Sequence, residues 1–218
     1  MTTSQNTDQE TPLGAKGLLN KFPDILKPRP PFNPMRTVVI QFDNVADGTV
    51  IDSVYASSGV QFASLTTQPP SRGSVFARRL QSTSAASGVN VMSISTDPAW
   101  LGPFFDARSG AIEVTFDQLQ SSVSVMALPL VMPEALGSTD NRPFMEAFST
   151  DGTYLGRART QLKEGDPGFT LVWQPIAFVS PTRNIKKVRL SSQAHGSPWV
   201  YAVFDNLTFH VNILQRLP

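Results

Sequence analysis

Two short phrases in this chain hold the residue types from which a hard-cation site is built. Phe42-Asp43-Asn44-Val45 ends the run Val38-Val39-Ile40-Gln41, and Phe204-Asp205-Asn206-Leu207 nearly repeats it close to the other end. Each sets a carboxylate and a carboxamide side by side between apolar residues. An ionised carboxylate among aliphatics is costly unless a cation or several hydrogen-bond donors meet it. The expectation is that the two strands lie close together and bring Asp43 and Asp205 to one hard cation, with Asn44 as a lesser ligand. Carbonyls around Gly48 and Thr49 can complete the six to eight oxygens that a calcium-sized ion takes. The alternative is that both aspartates cap turns or meet an arginine such as Arg36 or Arg189.

A second chemistry is sugar binding, which asks for an aromatic ring against a pyranose face and a few polar groups beside it. Trp100 stands in a loop between Pro98, Gly102 and Pro103, Trp199 follows Ser197-Pro198, and Tyr201 lies on the closing strand. These three are the candidate ligand-binding residues. Either tryptophan can instead be a lid on the core, and for any single ring that plainer reading is the stronger.

Catalytic chemistry finds no support. His195 and His210 have no spacing that suggests a metal pair or a triad, and no Gly-x-Ser-x-Gly elbow occurs. Glu113 and Asp117 share a strand face but stand ~13 Å apart along it, beyond the ~5–10 Å of a glycosidase pair. Glu146 on a neighbouring strand is the one available partner, and all three read as outward charges of amphipathic strands. No catalytic residue is assigned, and the chain is read as a non-enzyme.

Composition bounds the rest. Of 218 residues, 40% are hydrophobic and 14 are Phe, enough for a packed core without staples. With 18 Lys plus Arg against 17 Asp plus Glu the net charge is +1, which gives no electrostatic reason to expect nucleic acid. No cysteine is present, so disulfides, thiolate catalysis and cysteine-ligated metals are excluded. No stretch approaches the ~20 apolar residues of a membrane span. The first residues lack the pattern of a secretory signal, so the chain reads as soluble and either intracellular or exported without a cleaved leader.

The elements that must position these groups are short strands. Val89-Asn90-Val91-Met92-Ser93-Ile94 alternates, as do residues 112–117 and 122–130, and Ser149-Thr150-Asp151-Gly152 between β-prone runs signals a hairpin. Residues 66–88 read as a long surface loop with a short apolar run at 74–77. On the closing strand, strict alternation puts Val203, Leu207 and Phe209 on one face with Asp205, and Ala202, Phe204, Asn206 and Thr208 on the other. Nine or ten strands with regular turn signals and no helix after residue 36 predict an all-β jelly-roll sandwich of two antiparallel sheets. Residues 1–36 form a polar and proline-rich arm containing a short helix, residues 37–211 the sandwich, and residues 212–218 a tail.

The phrases around Phe42-Asp43, Gly48-Thr49, Tyr55 and Gly59-Val60-Gln61-Phe62, followed by the Asp205-Asn206-Leu207-Thr208-Phe209 ending, resemble a bacterial family of jelly-roll domains. Gly110-Ala111-Ile112-Glu113-Val114-Thr115-Phe116 and the Asp151-Gly152 to Leu155-Gly156 segment fit the middle of that pattern. The family is akin to carbohydrate-binding modules and is often seen in exported, C-terminally sorted proteins. The resemblance covers residues 40–210. It implies a structural calcium near the first and last strands, and a sugar-binding or adhesive role.

Two functions are therefore expected. The first is a non-catalytic module for carbohydrate or a cell-surface ligand. The second is a structural protein that forms a homo-oligomer or larger assembly through an arm at residues 13–34.

Overall fold

A computed structural model of the chain describes residues 34–67, 70–80, 86–94, 110–129, 142–162, 172–192 and 202–213. The chain divides into two units, Met1–Asn33 and Pro34–Pro218, and everything described belongs to the second. The predicted arm helix lies outside the described residues, as do Trp100, Trp199 and Tyr201.

The described residues form two six-stranded antiparallel sheets. In chain order the strands are β1 (Met35–Ile40), β2 (Val60–Thr67), β3 (Pro70–Gly73), β4 (Phe76–Arg79), β5 (Asn90–Ser93) and β6 (Gly110–Gln120). Then follow β7 (Ser122–Pro129), β8 (Phe144–Phe148), β9 (Tyr154–Arg159), β10 (Gln174–Val179), β11 (Ile185–Ser191) and β12 (Ala202–Asn212). One sheet runs β10-β7-β12-β5-β4, with β1 also paired to β12; the other runs β3-β2-β6-β11-β8-β9. The all-β sandwich expected from strand spacing is thus the fold, and the Asp151-Gly152 hairpin joins β8 to β9.

One part of residues 66–88 corrects the reading of a surface loop. β3 closes the edge of one sheet and β4 the edge of the other, with Val75 between them and Ala77 within β4 fully buried. Four-residue strands flanked by arginines carry too few alternations to stand out in sequence.

The core lies between the sheets. Val60 and Phe62 of β2, Ile112, Val114 and Phe116 of β6, Met145 and Ala147 of β8, and Val188 and Leu190 of β11 face inward from one sheet. Val123, Val125, Ala127, Ile176, Phe204, Leu207 and Phe209 meet them from the other. Phe42, Tyr55 and Phe62 form an edge-on trio with ring centroids 5.7, 6.0 and 6.2 Å apart. A fully buried phenylalanine stabilises such a core by about 1.5–3 kcal/mol.

β12 departs from the alternation read off the sequence. Between Asp205 and Thr208 its pairing to β7 shifts register, and Asn206 sits there with φ 50°. This bulge adds a residue and switches the strand's faces. Ala202 and Phe204 point into the core before it, and Leu207, Phe209 and Val211 after it. Val203 and Asp205 therefore lie on the face opposite to Leu207 and Phe209, not beside them. Val203 packs instead with Leu80, Val91, Leu128 and Trp173 in a second, smaller cluster.

Candidate functional site

The two Asp-Asn phrases do come together. β1 pairs antiparallel to the second half of β12, from Met35 opposite Asn212 to Ile40 opposite Leu207. β1 therefore ends beside the bulge, and the chain turns through the 3-10 segment Phe42–Asn44. Phe42 is fully buried and anchors that turn in the core, leaving Asp43 on its outer side.

Both carboxylates bind the bend at residues 86–89, which leads into β5. Asp43 Oδ1 accepts the backbone N–H of Val89 at 2.6 Å and of Asn90 at 2.8 Å. Asp205 accepts the N–H of Ser87 at 2.7 Å, the Ser87 hydroxyl at 3.0 Å, and the N–H of Asn206 at 2.7 Å. The Asn90 carboxamide secures the arrangement by donating to the carbonyls of Phe42 and Val45. Of the alternatives open at the sequence level, several donors meet the aspartates, and the partners are backbone amides rather than Arg36 or Arg189.

Gly88 is the residue this geometry demands. Its φ is 55°, and a Cβ there would stand 2.2 Å from Asp43 Oδ2 and 2.6 Å from Oδ1. Only glycine allows the carboxylate to press so closely on the bend.

The electrostatics are those of two neighbouring anions, Asp205 buried and Asp43 exposed. Asp205 has no exposed surface. Burial pushes its carboxyl above the usual range; its hydrogen bonds to Ser87 and Asn206 work against that, and the Asp43 charge adds to it. Tyr55 is pushed up to about 12, first by burial and then by the charges of Asp43 and Asp205. Its hydroxyl donates to Asn44 Oδ1 at 2.5 Å and lies 3.2 Å from the Gln41 carbonyl. Asn44 thus serves Tyr55. The carboxamide oxygen of Asn206 is buried without a hydrogen-bond partner. Sequence reasoning missed Ser87, Gly88 and Asn90, whose one local signal is a Ser-Gly pair just ahead of an alternating strand.

A second constellation stands on the outward face of the β3–β9 sheet. The register aligns Glu113 of β6, Arg189 of β11, Glu146 of β8 and Arg157 of β9 across four strands. Glu113, though outward, is 4% exposed and meets Lys187 Nζ and Arg189 Nε, each at 3.2 Å. Glu146 takes both Nε and Nη2 of Arg157. Beside this row lie rings: the Arg157 guanidinium is 4.3 Å from the Phe144 centroid and that of Arg189 4.6 Å from the Phe148 centroid. Phe148 meets Tyr154 edge-on at 5.8 Å, and Tyr154 is 53% exposed. The outward reading of Glu113 and Glu146 holds. What sequence could not show is that they are tied into one row.

No protein-family model matches the chain, and no curated protein matches it. Among solved structures it is similar to the K2 cleaved adhesin domain of Lys-gingipain, at 13% identity over 80% of this chain and 99% of that one, with a TM-score of 0.48. It is also similar to the CBM22-1–GH10 modules of Clostridium thermocellum endo-1,4-beta-D-xylanase 10B in complex with xylohexaose, at 10% identity, 80% and 28% coverage and a TM-score of 0.39. A third is the C-terminal family 22 carbohydrate binding module of the same xylanase, at 8% identity, 83% and 95% coverage and a TM-score of 0.39. These neighbours are an adhesin domain and proteins containing family 22 carbohydrate-binding modules. Among the described residues, no helix is long and apolar enough to cross a membrane.

Proposed function

We propose that this chain is a non-catalytic module that binds carbohydrate on the outward face of the β3–β9 sheet and is stabilised by a calcium ion at Asp43 and Asp205. The observation that carries the ligand reading is the row Glu113–Arg189–Glu146–Arg157 flanked by Phe144, Phe148 and Tyr154. Rings supply apolar faces for the C–H side of a pyranose, while guanidinium and carboxylate groups beside them serve its hydroxyls. Because these side chains stand on paired strands and are tied to one another, little side-chain freedom remains to be lost on binding.

The calcium reading rests on the donor set. Two neighbouring carboxylates, the Ser87 hydroxyl and nearby carbonyls are all hard oxygens, and the unpartnered Asn206 oxygen follows directly on Asp205. Asp43 and Asp205 would hold the ion, which would supply positive charge to a buried carboxylate that otherwise faces only the charge of its exposed neighbour. Asn44, occupied by Tyr55, is the weaker of the three ligands expected from sequence.

A glycan array followed by native affinity electrophoresis in soluble polysaccharides tests the ligand reading. Wild type is expected to be retarded by at least one glycan, and Tyr154→Ala and Phe148→Ala to be retarded less while keeping the wild-type fold by circular dichroism. Retardation by no glycan would overturn the reading.

A further inference from the structure

Resting on that reading of the outward face, we infer that its ligand is an acidic saccharide of the uronate type, with Arg189 as the group that takes the sugar carboxylate. With Lys187 beside it, the row does not balance. Lys187 and Arg189 both pair with Glu113, and Arg157 pairs with Glu146, so among these described residues three cations face two carboxylates. The surplus falls on Arg189. Among the described residues it hydrogen-bonds through Nε alone, which leaves both terminal nitrogens unengaged, and its side chain is 38% exposed.

Arg189 is also held ready. Its Nε is fixed on Glu113, and its guanidinium lies over the Phe148 ring. The planar fork of a guanidinium matches the two oxygens of a carboxylate, which a sugar hydroxyl does not. Phe148 and the exposed Tyr154 then adjoin the same position and can take the sugar ring that bears the acid. Lys187 and Arg157 keep Glu113 and Glu146 neutralised, so an incoming carboxylate meets paired rather than bare carboxylates.

The test is calorimetric titration of the full chain with a galacturonate pentasaccharide and with its fully methyl-esterified form, which keeps the sugar backbone but replaces each carboxylate by a neutral methyl ester. The acid is expected to bind about tenfold or more tightly than the ester, and to weaken as salt rises. Arg189→Gln should lose that preference and Arg189→Lys keep part of it, while Tyr154→Ala weakens both forms alike; thermal melts establish that each variant is folded. Equal affinity for acid and ester, with Tyr154→Ala weakening both, would leave the glycan reading standing and overturn the acidic class. An acid preference that survives in Arg189→Gln would overturn the role of Arg189. Binding of no saccharide, acidic or neutral, would overturn the inference and the reading beneath it together.

Discussion

Asp43 and Asp205 hold the same bend: Asp43 takes the amides of Val89 and Asn90, and Asp205 takes the amide and hydroxyl of Ser87. Between these anchor points lies Gly88, with the Asp43 carboxylate against its α-carbon. The bend thereby ties the end of β1 to the middle of β12 through residues distant from both in sequence. Gly88→Ala places a methyl group inside the contact distance of that carboxylate, at a φ that L-residues rarely adopt. The expected loss is about 2–4 kcal/mol, read as a fall in the urea midpoint with the m-value unchanged.

The proposed ion makes a separate forecast. A ligand that binds only the folded state raises stability by mass action, so wild type should melt lower in chelator than in millimolar calcium. Asp205→Ala should lose that difference, and should also cost about 1–3 kcal/mol in chelator, because the Ser87 and Asn206 amides are left without their acceptor. Identical melts of wild type in calcium and chelator would dismiss the ion and leave the hydrogen bonds as the whole explanation of the site.

Tyr55 reports on the two aspartates from the core side. Its phenol ionises at about 12 in the folded chain against 10.0 ordinarily. Because the folded value is the higher one, the folded state holds this proton where the unfolded chain has lost it. The contribution is fully present below pH 10 and is lost as pH rises through 12, amounting to about 2–3 kcal/mol. The tyrosinate absorbance of wild type minus that of Tyr55→Phe should have its midpoint near 12, and the variant should show a shallower alkaline decline in stability. A difference midpoint near 10 would mean that the phenol is not under the influence of burial and the two carboxylates.

The fold was legible wherever strands alternate cleanly. Residues 112–117, 122–129 and the Asp151-Gly152 hairpin announce themselves by period and turn chemistry, and the repeated Phe-Asp-Asn phrase correctly marked β1 and β12 as neighbours. The partners of the aspartates were not legible, because a backbone amide leaves no mark in the sequence and the bend that offers them is far along the chain. The Glu113–Arg189–Glu146–Arg157 row was hidden for a related reason. Its members belong to four strands whose register is set by non-local pairing, and neither cross-strand ion pair can be deduced from the local pattern of either strand. The face switch in β12 left only a faint trace: the main-core residues fall at even positions, Ala202 and Phe204, before it and at odd positions, Leu207, Phe209 and Val211, after it, while apolar Val203 on the other face blurs the change. A strict two-residue period read through Asn206 overlooks it.

That switch yields the last prediction. Asn206 holds φ 50°, a conformation that asparagine and glycine accept and β-branched residues resist. Asn206→Gly should leave stability within about 0.5–1 kcal/mol of wild type, whereas Asn206→Val should cost about 1–3 kcal/mol. Deleting Asn206 is a sharper probe. Without the extra residue the strand must keep one alternation throughout, so that holding Ala202 and Phe204 in the core turns Leu207, Phe209 and Val211 outward, and holding the latter three inward turns Phe204 out. Either arrangement exposes large apolar side chains that are now buried, at about 1.5–3 kcal/mol each. The deletion variant should therefore fail to give a cooperative thermal transition while Asn206→Gly retains one. A deletion variant that melts cooperatively at the wild-type temperature would show that the bulge does not set the faces of β12.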